Sequence, residues 1–111
     1  SVGKNMAQAA GSVFAVDADD SIVSLRESTG REVWKNSDLT GRNLSAPASI
    51  GEYVAVADKD GYIHLLSAET GNYSGRSKIG DAGRPARLLS VDDTLYALTN
   101  GGKLYAFELR N

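Results

Sequence analysis

Cysteine is absent from the 111 residues, which removes disulfides, thiolate zinc sites and a cysteine nucleophile from this stretch. Histidine occurs once, at His64, so a multi-histidine metal site is unavailable and a triad has a single candidate base. No apolar run approaches the ~18 to 20 residues that a membrane-crossing helix needs. A basic excess is lacking too, since the net charge is −2. Nucleic acid and anionic membranes both want a basic face, and both are disfavoured as partners. Finally, no stretch sustains a helical apolar period over about ten residues.

What the chain does contain is a repeat. "RESTGREVWK" (residues 26–35) and "SAETGNYSGR" (residues 67–76) carry the same Thr-Gly turn, with Thr29 and Thr70 standing 41 residues apart. At that shift Val13 falls on Val54, Asp17 on Asp58, Ile22 on Ile63 and Leu25 on Leu66, without a gap. A second shift sets Val54–Val56 over Leu95–Ala97, Asp60-Gly61 over Gly101-Gly102, and Leu66 over Phe107. Each unit alternates short apolar segments rich in Val, Ile, Leu and Tyr with polar turns. Asp17–Asp20, Asp58–Gly61 and Asn100–Gly102 are such turns, and Asp-Gly or Asn-Gly supplies the positive φ of a tight hairpin. This is the pattern of an all-β meander.

Four strands repeating at about 40 to 50 residues define a propeller blade. The expected blades are residues 4–35, with strands Lys4–Ala9, Ser12–Val16, Ile22–Arg26 and Arg31–Lys35, and residues 44–79, with strands Leu44–Ile50, Tyr53–Ala57, Tyr62–Ser67 and Asn72–Ile79. A third, residues 85–109, has Pro85–Ser90, Thr94–Thr99 and Lys103–Leu109 but no outer strand. The rival is a small sandwich of short strands; even spacing and the repeated Thr-Gly favour blades. About two and three-quarter blades cannot close a ring, so the expectation is a partial β-propeller, the C-terminal piece of a longer protein. The open strand Lys103–Leu109 and the uncovered first blade would then favour self-association.

The unit "VFAVDADDSIVSLRESTGREVW" (Val13–Trp34) resembles the repeat of quinoprotein-type propellers: apolar strand, Asp/Gly turn, apolar strand, Thr-Gly, then Trp. The second copy keeps "DKDGYIHLLSAETG" but has Gly75 at the Trp position. "WKNSDLTGRNLSAP" (Trp34–Pro47), "DGYIHLLSAETG" (Asp60–Gly71) and "TNGGKLYAF" (Thr99–Phe107) together resemble the C-terminal end of the BamB family. Members of that family are lipoprotein propellers of the outer-membrane β-barrel assembly machinery. The resemblance implies a non-catalytic scaffold at the periplasmic face of the outer membrane, anchored through an upstream lipidated cysteine. It implies the central barrel subunit as partner, with unfolded outer-membrane proteins as clients, and no cofactor. The family's main contacts to the barrel subunit are expected in middle blades outside this chain.

Chemistry is sparse in the residues themselves. His64 lies between Ile63 and Leu65 on a strand and therefore points to the opposite face from both; it is read as structural or solvent-facing. Asp17, Asp19 and Asp20 lack the Gly and bidentate Glu of an EF-hand, so a hairpin turn is the better reading than a calcium loop. Gly101-Gly102-Lys103 lacks the helix and hydroxyl of a phosphate loop. Trp34 is expected to wedge between blades, and Tyr53, Tyr62, Tyr96 and Tyr105 to pack with wet hydroxyls. No catalytic, cofactor-binding or metal-binding residue is assigned. A fragment of a quinone-dependent dehydrogenase and a ligand-binding or sensor propeller stand as alternatives. Binding residues concentrate on loops held by a rigid scaffold, so the links 36–43 and 80–84 are the expected partner-binding segments. Asp38, Arg42, Arg84 and nearby Arg87 are the candidates, with solvated charge as the competing reading.

Overall fold

The computed structural model describes residues 6–79 and 86–108. Within them the chain forms eleven strands and no helix. β1 (Met6–Ala9), β2 (Ser12–Val16), β3 (Ile22–Arg26) and β4 (Glu32–Asn36) make one antiparallel sheet in sequence order. β5 (Ala48–Ile50), β6 (Tyr53–Ala57), β7 (Tyr62–Ser67) and β8 (Tyr73–Lys78) make the second. β9 (Arg87–Val91), β10 (Thr94–Leu98) and β11 (Leu104–Glu108) make the third. The first strand of each sheet meets its counterparts, β5 lying against both β1 and β9, as blades do around a propeller axis. The architecture is a partial β-propeller.

Period-two alternation makes the middle sheet serve two cores at once. On β6, Val54 and Val56 join Phe14, Ile22, Leu39 and Leu66 in a buried cluster toward the first sheet. Ala55 and Ala57 join Ile50, Ile63, Ile79, Leu95 and Ala97 in a second cluster toward the third. A one-residue slip in β6 would exchange those faces, so its register is fixed from both sides.

Several strand ends differ from expectation, and two of the departures have a plain physical reason. The stretch expected as strand Leu44–Ile50 is regular only from Ala48. Pro47 has no N–H to give a ladder, and Ser45 replaces it irregularly: its N–H donates to the Ala57 carbonyl, and its hydroxyl accepts from the Ala57 N–H. The fourth strand of the first sheet runs one residue further than expected, to Asn36, whose side-chain amide donates to the Gly71 carbonyl in the next blade at 2.7 Å. Lys4, Pro85 and Leu109, which belonged to expected strands, lie outside the described residues.

Candidate functional site

The polar centre of the chain is built on a turn that recurs every blade. Asp17 Oδ1 accepts from the N–H groups of Asp19 and Ser21. Asp58 Oδ1 does the same for Asp60 and Tyr62. In the third sheet Thr99 Oγ1 accepts from the Lys103 N–H. The side chain thus completes each hairpin by standing in for a backbone carbonyl. That use of Asp17 makes its run of acids a turn.

The second copy goes further. Asp58 is fully buried, and its Oδ2 lies 2.7 Å from His64 Nε2. The other ring nitrogen, Nδ1, lies 2.7 Å from the Tyr73 hydroxyl. His64 is 1% exposed, which removes the solvent-facing reading. By strand alternation it shares the face of Leu66, which packs toward the first sheet, while Ile63 turns toward the third. Nε2–H donates to the carboxylate; Nδ1 accepts from the phenol when the ring carries one proton and donates to it when it carries two. Burial opposes the charge on Asp58, but the bonds from His64 and from the N–H groups of Tyr62 and Asp60 outweigh it, holding the carboxyl below the ordinary range. Burial pushes the Tyr73 phenol up, with Arg76 and Arg42 countering.

The link between the first two sheets closes over this pair. Asp20 takes a left-handed conformation, φ 62°, where the later copies have glycine. Its carboxylate accepts from the N–H groups of Asn43 and Leu44. At the other side the Arg42 carbonyl accepts from the Lys59 N–H, in the turn of the second sheet. So pinned, Arg42 brings its guanidinium 3.7 Å from Asp58 Oδ2. Asp38, Leu39, Arg42, His64, Tyr73 and Arg76 line one cleft of about 350 Å³. Of the partner-binding candidates, Asp38 and Arg42 line this cleft, together with His64, which the sequence pattern had assigned only a structural or solvent-facing place. Arg87 is exposed on β9 and does not line the cleft, and Arg84 lies outside the described residues. Asp58, Tyr73 and Arg76 were missed. The available signal was an acid and the sole histidine flanking one hairpin turn, a spacing that puts both on adjacent strand ends.

Trp34 joins the blades beside this site. Its indole Nε1–H donates to the Ala68 carbonyl at 2.9 Å, and its ring packs on Phe14. A Cβ added at Gly71 would meet the indole at 2.5 Å. The second Thr-Gly turn is therefore the platform on which the previous blade's tryptophan sits. Gly75 occupies the tryptophan position of the second blade, and the groove between β7–β8 and β10–β11, where Gly75 lies with Leu65, Leu95 and Phe107, stays open.

Among the described residues, no three potential metal ligands converge. The polar cluster has the acid–imidazole–hydroxyl order of a hydrolytic relay, but its last member is a phenol, not an activated aliphatic hydroxyl or thiol. What the arrangement does is fix Tyr73 in place and set a buried carboxylate 3.7 Å from the Arg42 guanidinium.

A repeated four-stranded sheet with an indole docked on the next blade's Thr-Gly turn defines a quinoprotein-type propeller segment. The chain is matched along residues 1–111 by the family described as outer membrane protein assembly factor BamB, and it belongs to that family. It is 40% identical over 94% of its length to the assembly factor BamB of Legionella pneumophila, and 36% identical over 95% to that of Pseudomonas aeruginosa. It spans 27% and 28% of those two relatives. The crystal structure of BamB from Moraxella catarrhalis superposes with a TM-score of 0.84 at 30% identity, covering 94% of this chain and 30% of that one. A europium-containing methanol dehydrogenase aligns over 66% of this chain and 14% of its own at TM-score 0.56 and 24% identity, a likeness of fold alone.

Proposed function

We propose that this chain contributes a rigid, non-catalytic docking surface to the assembly of outer-membrane β-barrel proteins. The family's name supports the process. The observation that carries the mode of action is the link between the first two sheets, pinned by Asp20 at one side and by the Lys59 N–H at the other. A loop held at both sides presents Asp38 and Arg42 at little further entropic cost on binding. In this reading residues 4–35, 44–79 and 85–109 act as three blades of one propeller. The protein works on the periplasmic side through a lipid anchor upstream, and docks the central barrel subunit and unfolded clients. Asp38, Arg42, Arg84 and Arg87 are its contact residues, and no cofactor takes part.

Photo-cross-linking in the intact cell envelope tests this. A photoreactive residue at position 38 or 42 of the protein carrying this chain is expected to trap a subunit or client of the assembly machinery. The same probe at Glu69, on the exposed Thr-Gly turn of the second blade, is the control. Adducts of equal yield at all three positions, or none at 38 and 42, would overturn the reading.

A further inference from the structure

Two arginines of the cleft have donor capacity that their neighbours among the described residues do not use. Arg76, on β8, makes no ion pair among the described residues. Its guanidinium instead lies over the Tyr62 ring, 4.5 Å from the centroid, which occupies a face and leaves its N–H edge available. Among the described residues Arg42 touches one carboxylate only, at a long 3.7 Å, and that carboxylate already accepts from Asp60, Tyr62 and His64. Both arginines line the same cleft, beside His64 and Tyr73. The first blade offers nothing equivalent, because Val23 stands at the position of His64 and Lys35 at that of Arg76.

We propose that the cleft between Arg42 and Arg76 binds a carboxylate from an acidic segment of a partner protein. Planar guanidinium groups pair with a planar carboxylate through parallel N–H···O bonds. The Asp58–His64–Tyr73 chain supplies the preorganisation, since it fixes the floor before any ligand arrives. Charge selects the class of anion. Asp38 lines the cleft and Asp58 lies against Arg42, so a dianion such as phosphate meets more repulsion there than a single carboxylate does. Asp38 is thus a specificity-determining residue, lowering affinity for every anion and most for dianions. The cleft deepens the docking function proposed above and rests on it only for the biological source of the carboxylate.

The test uses the protein carrying this chain, with its arginine Nε–H resonances followed by NMR. Probes are the peptide acetyl-Gly-Asp-Glu-Asp-Gly-amide, its Asn/Gln counterpart, inorganic phosphate, and vesicles containing anionic lipid. The acidic peptide is expected to shift Arg42 and Arg76 saturably, with the amide counterpart at least about tenfold weaker, the scale of one charged hydrogen bond. Arg76→Gln is expected to lose about tenfold, Arg76→Lys less, and Asp38→Asn to gain affinity. An unchanged melting temperature shows that the Arg76 variants remain folded. Equal binding of the two peptides, tighter binding of phosphate or vesicles, or no saturable shift would each overturn the proposal. Peptide binding without cross-links at positions 38 and 42 overturns the docking function and leaves the cleft standing. Cross-links without peptide binding do the reverse.

Discussion

Asp17 and Asp58 hold the same place in successive blades and fold the same turn, yet one ends in water and the other under protein. Asp17 spends its second oxygen on Lys35, at 3.7 Å between side chains that are 44% and 36% exposed. Asp58 spends its own on a buried imidazole. The turn needs only one oxygen, so the repeat specifies the turn and leaves the second oxygen to local use. In the first blade that use is weak; in the second it organises a cleft. The same contrast holds for aromatic anchoring, with Trp34 after the first Thr-Gly turn and Gly75 after the second. Repeats conserve geometry, while their differences hold the specific chemistry.

The largest expected effect comes from erasing the anchor that the first blade has and the second lacks. Trp34→Ala removes the packing on Phe14, the bond to Ala68 and the cover on Gly71. It should cost about 3 kcal/mol or more in denaturant melts. A loss below about 1 kcal/mol, the scale of ordinary surface changes, would show that the first blade is not joined to the second through the indole.

Next is the buried pair. His64→Leu keeps bulk but leaves Asp58 without its Nε2 partner, and should cost about 2 kcal/mol, the penalty for an unsatisfied buried charged group. Acid sharpens the same point. The folded Asp58 carboxyl sits below its ordinary value, so its contribution is complete above about pH 4 and is lost as pH falls through that lower folded value. Melts from neutral pH to below about pH 3 should show a steeper acid loss in the parent than in Asp58→Asn. Parallel curves would mean that the buried acid carries no such linkage.

The two Thr-Gly turns give a smaller contrast. Gly30 and Gly71 both have positive φ, 73° and 78°, so alanine is strained at either. Only Gly71 also meets an indole, whereas the Cβ position at Gly30 is open. Gly71→Ala should therefore exceed Gly30→Ala by about 1 kcal/mol or more, the cost of overpacking. Equal losses would mean that the indole moves aside freely.

The blades were legible in the sequence because apolar alternation and turn chemistry are local. Asp58, Gly61 and Thr70 announce their turns within a few residues. The docking of Trp34 was legible as a wedge, but its platform was not, since Ala68 and Gly71 lie 34 and 37 positions away and belong to another blade. His64 shows the same limit. Its strand was plain, but whether the far face of β7 met water or a neighbouring blade depended on blade-to-blade contact. The cleft needed Arg42, His64 and Arg76 to converge from a link and two strands, and no local pattern encodes that. Where residues pair across blades, sequence spacing alone is silent.

The smallest expected effect tests the exposed half of the comparison. The Ser21 N–H is the chief reason that the Asp17 carboxyl lies low, with desolvation opposing, and Lys35 contributes less than the backbone. Lys35→Ala should therefore leave the denaturant midpoint close to that of the parent, because exposed ion pairs lose in side-chain entropy and screening much of what they gain. The residual effect should vanish at high salt, where the screening length falls to about 3 Å. His64→Leu should be nearly indifferent to salt, because its partner is shielded from ions by the protein itself. The two variants measured across a salt series separate a carboxylate held by its turn from one held by its neighbours. If Lys35→Ala cost as much as His64→Leu and ignored salt, the exposed pair would be structural and the contrast between the blades would fail.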